Sequence, residues 1–231
     1  MLIMGKIKTV IFDIDGTMYD YNKSNRLGLA ALESYCRDQF GTDHEHFAVL
    51  FREGDRKLQE RIGYPCASIH NRLIRFQCML ELLHKPLFPH ALEMYACYWD
   101  TFLAAMKPYP GLTDWMRQLQ EQGITVAVGT NMTAYMQYRK LTVLGVAERI
   151  QWMLTSEEAG VEKPESRFYR LCIEKGGVPA DSCLFIGDNP ECDVNGPLKA
   201  GMQAVLFDPD RRWIDQPIPG CKRIERYEEI R

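Results

Sequence analysis

Two aspartates separated by one residue, Asp13 and Asp15, follow the apolar run Ile7-Lys8-Thr9-Val10-Ile11-Phe12 and lead into Gly16-Thr17. A second pair, Asp188 and Asp193, follows Cys183-Leu184-Phe185-Ile186-Gly187. Between these pairs come Thr130-Asn131, which close another apolar run, and Lys163-Pro164. Phosphoryl transfer from a monoester needs a nucleophile, an acid for the leaving oxygen, a cation to gather anions, and donors for the phosphate oxygens. Asp13 can supply a carboxylate nucleophile and form an aspartyl phosphate. Asp15, two residues on, can protonate the leaving group and then activate water. Magnesium favours carboxylate oxygens, water and substrate phosphate. Its expected ligands are Asp13, Asp188 and the backbone carbonyl of Asp15, with Asp193 acting through a water. Thr130 and Asn131 offer donors to the phosphate, and Lys163 offers a cation to both the phosphate and Asp13.

These residues must be carried by elements that bring them together. Residues 7–13, 124–130, 183–188 and 203–207 read as buried strands, with 149–155 a weaker candidate. Helix patterns lie between them. Leu112, Trp115, Met116 and Leu119 share one face, and Gly123 sits where that helix should stop. Residues 133–144 and 165–175 have similar character, with Pro164 suited to the first turn of the latter. Residues 191–200 form a shorter candidate, closed by Gly201. Strands alternating with helices imply a parallel sheet covered on both faces, whose carboxyl ends converge on one crevice. The stretch 20–107 breaks the alternation. It shows no strand, and Leu27, Ala31 and Tyr35 mark one of about four helices there; others hold Phe47, Leu50 and Leu58, and Leu73, Phe76, Leu80 and Leu83. The expected organisation is an α/β core of 1–19 and 108–231, with an inserted helical subdomain at 20–107 and a hinge at Pro108-Tyr109-Pro110-Gly111.

The 231 residues are 46% hydrophobic and 26% charged, with a net charge of -3, so a folded globule is expected without a general attraction for nucleic acid or anionic membranes. No apolar run is long enough to span a bilayer, and the N-terminus lacks a leader pattern. Eight scattered cysteines without a Cys-x-x-Cys pair read as reduced thiols of a cytoplasmic protein. No feature speaks to oligomeric state.

Taken in order, the four elements resemble the haloacid dehalogenase superfamily. Asp13-Ile14-Asp15-Gly16-Thr17 is similar to its first motif, and Thr130 to the second. Lys163, in a Lys-Pro form with Phe168 following, is similar to the third. Gly187-Asp188 with Asp193 is similar to the fourth. The resemblance spans essentially the whole chain. It implies a Rossmann-like core, the branch with a helical cap between the first two motifs, and a Mg2+-dependent phosphatase acting on a small-molecule phosphomonoester. The 32 residues from 131 to 162 leave little room for the other cap type. Asp15 argues against dehalogenation, since the dehalogenases lack that acid. Met18 stands where the family usually has Leu. A phosphosugar mutase of the same fold and a non-enzymatic binding protein on this scaffold are the alternatives. Nucleotides and sugar phosphates both fit as substrates.

Simpler readings compete at single positions. Thr130 could cap the helix at 133–144. Asp20 reads as structural, and His44-Glu45-His46 as a solvated helix start rather than a metal site. Of the arginines in the insert, Arg72 and Arg75 are the candidates for substrate contact.

Overall fold

Thr9, Val10, Ile11 and Phe12 are all fully buried, so strand β1 (Thr9–Phe12) has no solvent face and must lie inside a covered sheet. The computed structural model describes residues 4–216 and 218–230. Residues 1–3, part of the N-terminal stretch read above for a leader pattern, lie outside the described residues. After β1 come helices α1 (Tyr21–Phe40), α2 (His44–Ile62), α3 (Arg72–Leu82) and α4 (His90–Ala105). The chain then runs through α5 (Leu112–Glu121), β2 (Thr125–Thr130), α6 (Ala134–Val143), β3 (Trp152–Thr155), α7 (Ser156–Ala159) and α8 (Ser166–Gly176). It ends with β4 (Cys183–Gly187), α9 (Gly196–Lys199), β5 (Gln203–Phe207) and β6 (Lys222–Ile224).

The six strands form one parallel sheet in the order β3-β2-β1-β4-β5-β6, a Rossmann-like α/β fold. From β1 the chain builds outward through β2 and β3, then returns to lay β4 on the other side of β1. The order reverses between β1 and β4, and at such a switch point the loops leave in opposite directions and open a crevice. Register places Phe12 beside Ile186, and the Asp13 N–H donates to the Ile186 carbonyl at 2.8 Å. Each buried aliphatic or aromatic side chain of these central strands contributes on the order of 1.5–3 kcal/mol.

The chain divides into two compact units, Met1–Asp20 with Lys107–Arg231, and Tyr21–Met106. In the second, α1 packs on α4 and α2 on α3. The buried stripe of α1 is Ser24, Gly28, Leu32 and Cys36, not the Leu27, Ala31 and Tyr35 that apolar spacing suggests; Leu27 is 39% exposed. The reason is close approach. A Cβ on Gly28 would stand 3.0 Å from the Tyr98 ring, so the helix turns its small residues inward. Asp43 caps α2 by accepting from the His46 N–H at 2.8 Å, and His44 bonds Glu33, as a solvated helix start would. Arg75 is buried in an ion pair with Asp55, and Arg72 donates to the Tyr21 hydroxyl at 3.2 Å.

Two other expectations need correcting in the first unit. Helix α8 begins at Ser166, so Pro164 lies ahead of it rather than in its first turn. Helix α6 begins at Ala134, whose N–H is taken by Glu157 at 2.7 Å, so Thr130 is not its cap. Strand β6 has three residues at the sheet edge, too short to show a pattern in sequence. All eight cysteines are free. No helix among the described residues is long and apolar enough to cross a membrane.

Candidate active site

The fold delivers the separate motifs to the carboxyl ends of β1, β2 and β4. Lys163 is the centre of the arrangement. Its Nζ donates to Asp13 Oδ1 at 2.8 Å, Asp193 Oδ1 at 2.7 Å and the Gly129 carbonyl at 3.1 Å, all in a buried setting. An ammonium has three N–H bonds, and these partners take all three. Lys163 is itself held by Asn131, which accepts from the Lys163 N–H at 2.9 Å and donates to its carbonyl at 3.2 Å. The Asn131 side chain therefore fixes the lysine instead of standing open. The Thr130 hydroxyl is buried, accepts from Gln137 Nε2 at 2.8 Å and donates to the Asn131 carbonyl at 3.2 Å.

Asp15 is held by a residue that sequence reasoning missed. Lys140 on α6 is fully buried and donates to both oxygens of Asp15, each at 2.7 Å. The Tyr19 hydroxyl also donates to Asp15. A signal did exist. Met136, Gln137, Lys140 and Leu141 form the inward face of α6, and a lysine on such a face requires a buried anion. Arg212 was missed as well; its Nη2 donates to Asp188 Oδ2 at 2.8 Å. Nothing in its loop marks it, because a basic residue in a polar turn is the commonest surface pattern.

Asp13, Asp188 and Asp193 each place a carboxylate oxygen within 4.8 Å of the others. Burial pushes the Asp13 carboxyl up to about 6; Lys163 opposes the rise, while Asp193 and Asp15 add to it. Burial likewise pushes Asp188 up to about 6, with Asp13 adding and Arg212 opposing. Asp193 is raised by burial against the pull of Lys163. Burial alone would pull the Lys163 ammonium down, but Asp13 and Asp193 hold it well above its ordinary value. Three carboxylates, Asp13 and Asp193 buried and Asp188 half-buried, face only Lys163 and the partly exposed Arg212, which leaves negative charge uncompensated, and an all-oxygen donor set suits a hard divalent cation. Asp193 is occupied at both oxygens, by Lys163 and by the Asn189 N–H at 3.0 Å, whereas among the described residues Asp13 and Asp188 each have a hydrogen-bond partner at one oxygen only.

Two glycines make this density possible. Gly16 has φ +81°, and a Cβ there would lie 2.5 Å from Asp188 Oδ2. A Cβ on Gly187 would collide with the Asp193 carboxylate. Gly16→Ala should therefore lose more stability than Gly123→Ala. Both positions have positive φ and pay about 1–2 kcal/mol for a side chain, but Gly123 has open space around its Cβ. Urea denaturation of the two variants checks this; equal losses would mean that Asp188 is not confined as described.

A carboxylate–lysine network at the switch point of a six-stranded parallel sheet places the chain among the Rossmann-like α/β proteins with an acidic site at the strand ends. Residues 7–201 match the family model "haloacid dehalogenase-like hydrolase", and the chain belongs to that family. It is 37% identical over 202 residues to a ribulose-1,5-bisphosphate 5-phosphatase of Halopiger xanaduensis, covering 87% of this chain and 84% of that one. It is 30% identical over 201 residues to a glyceraldehyde 3-phosphate phosphatase of Methanopyrus kandleri, covering 86% and 83%. Among solved structures it is similar to an HAD phosphatase from Thermococcus onnurineus, with a TM-score of 0.73 and 20% identity over 95% of this chain and 94% of that one. A 2-haloacid dehalogenase from Pseudomonas syringae is similar at a TM-score of 0.72 and 23% identity over the same shares. The fold is thus common to phosphatases and dehalogenases, and local residues must separate them.

Proposed function

We propose that the chain is a magnesium-dependent phosphatase that hydrolyses a small phosphorylated sugar through an aspartyl phosphate. The observation that carries this reading is the pairing of two differently held carboxylates. Asp13 is fixed by Lys163 at the end of β1, and Asp15, two residues on, is fixed by Lys140. The names of the relatives favour sugar phosphates over nucleotides.

In this reading Asp13 attacks phosphorus with its open oxygen while Lys163 holds the other, which fixes the angle of approach. The ester oxygen leaves with a proton from Asp15, giving the free alcohol and an aspartyl phosphate. Asp15 then takes a proton from water, which attacks phosphorus and frees Asp13 and inorganic phosphate. Both Asp15 oxygens accept from Lys140, so the side chain must turn from Lys140 to reach the leaving oxygen. Asp13, Asp188 and the Asp15 carbonyl would hold Mg2+, with Asp193 orienting its shell. When bound, the cation would offset the charge of nucleophile and phosphate. The backbone N–H groups of Asn131 and Thr133 would receive the phosphate oxygens, since those of Met132 and Ala134 donate to Ser156 and Glu157 and the side chains of Thr130, Asn131 and Lys163 are engaged with the protein. Tyr21–Met106 takes the part of the cap.

A phosphate-release screen over sugar phosphates and nucleoside monophosphates tests the proposal. Release is expected with Mg2+ and should fall to background with EDTA, then return on adding back the metal. Activity indifferent to EDTA would refute the metal role. Isomerised sugar phosphate with little free phosphate would favour a mutase instead.

A further inference from the structure

The loop that follows β5 is built to present one side chain. Asp208 is fully buried and accepts from the backbone N–H groups of Arg212 at 2.8 Å and Trp213 at 3.0 Å. Arg223 on β6 braces the same carboxylate at 3.1 Å. Arg211 takes a left-handed backbone with φ 57°, a costly conformation for a residue with a side chain, and its own side chain is tied back to Glu225 at 2.9 Å. The strained turn and buried anchor aim Arg212 at the carboxylate cluster, where its Nη2 meets Asp188 Oδ2 at 2.8 Å. One edge of the guanidinium is used there. The rest stays open, with the side chain 39% exposed.

Asp188 holds Arg212 through Oδ2 alone. A divalent ion held by Asp13 and the other oxygen of Asp188 would draw on the same carboxylate charge, weaken that pair and repel the guanidinium. The fork would then stand at the rim of the cluster with its donors available. A planar guanidinium pairs best with two oxygens of a phosphate or carboxylate.

We propose that Arg212 is a binding residue for a second anionic group of the substrate, a phosphate or a carboxylate, and that it is released for this task when the divalent cation binds. The inference rests on the phosphatase reading above. It predicts that Arg212 competes with the metal and discriminates among substrates.

The test uses the full chain carrying Arg212→Gln or Arg212→Lys and two matched substrate pairs. Ribulose 1,5-bisphosphate against ribulose 5-phosphate reads a second phosphate. 3-Phosphoglycerate against glyceraldehyde 3-phosphate reads a carboxylate. At saturating Mg2+, Arg212→Gln is expected to lose about 10–100-fold more in kcat/KM on the member with the second anion than on its partner, in one pair or both. The pair affected identifies the anion. Arg212→Lys should fall between, because an ammonium keeps the charge but not the fork. Calorimetric titration of the substrate-free protein with Mg2+ gives an independent reading. Arg212→Gln should bind the metal several-fold more tightly, roughly 3–10-fold, and Arg212→Lys about as the wild type does. Equal losses on both members of each pair overturn the second-anion role, and unchanged or weaker Mg2+ binding by Arg212→Gln overturns the competition. A wild type that releases no phosphate from any of the four overturns the phosphatase reading itself, while the metal titration still reports on the Arg212–Asp188 pair.

Discussion

Asp13→Asn protein should release phosphate at least about 10⁴-fold more slowly than the wild type, the scale seen when a covalent nucleophile is removed. The change is nearly isosteric, and an amide oxygen can still accept from Lys163, which keeps Asp193 and the Gly129 carbonyl as partners. The loss would therefore be chemical rather than structural. Stability supplies the control. The folded Asp13 carboxyl sits near 6, above its ordinary 3.8, because burial disfavours the charge. A raised folded value means that ionised Asp13 costs the fold stability at neutral pH. That cost fades as pH falls through about 6 toward 4. In metal-free buffer at pH 7 the Asn variant should thus be no less stable than the wild type. Asp15→Asn offers the contrast. It keeps the nucleophile but loses both the acid for the leaving oxygen and the group that activates water, so with an aryl phosphate, whose leaving group needs little protonation, a phosphoryl adduct should accumulate in intact-mass spectra while turnover stops. An Asp13→Asn protein that still forms that adduct would sink the nucleophile assignment.

Lys140→Met is the second large effect expected, and it separates folding from chemistry. Removing one partner of a buried ion pair costs about 3–5 kcal/mol, because the other charge is stranded. Asp15 keeps 27% of its side chain exposed, so water recovers part of this and a loss of about 2–3 kcal/mol is expected. Turnover should fall by about 10²–10³-fold, the usual worth of a positioned acid–base group. The double variant Lys140→Met, Asp15→Asn has no stranded charge. It should recover most of the stability in urea denaturation and none of the activity. A single variant as stable and active as the wild type would show that the pair is incidental.

The contrast between Lys163 and Lys140 shows what can be read without a structure. Lys163 stood next to a proline between a strand and a helix, in the order of a known motif set, so its pairing with Asp13 was legible. Lys140 carried no motif. Its partner is 125 residues away in sequence, and only the return of α6 over the sheet puts its ammonium on Asp15. The same holds for Arg212 and Asp188, 24 residues apart and joined by a turn whose shape depends on buried Asp208. Thr130 and Asn131 read in sequence as donors to a phosphate, whereas the structure bonds both side chains to the protein itself. Whether a hydroxyl or amide faces a ligand or its own chain depends on neighbours such as Gln137 and Lys163.

The sequence by itself determined the family, the parallel sheet, and the carboxylates at its strand ends. Strand periodicity, helix faces and the spacing of Asp13-x-Asp15 and Asp188-x4-Asp193 are local, and local patterns survive in one dimension. The tertiary structure decided which cation meets which anion. Burial allows an ionised group only where a partner arrives from another element, and no local pattern records that arrival. The sequence therefore presents Asp13 as a carboxylate at the end of a strand. The fold gives it one oxygen held by Lys163 and sets beside it Asp15, held by a lysine of its own; these are the two carboxylates that the proposed mechanism uses as nucleophile and acid–base group.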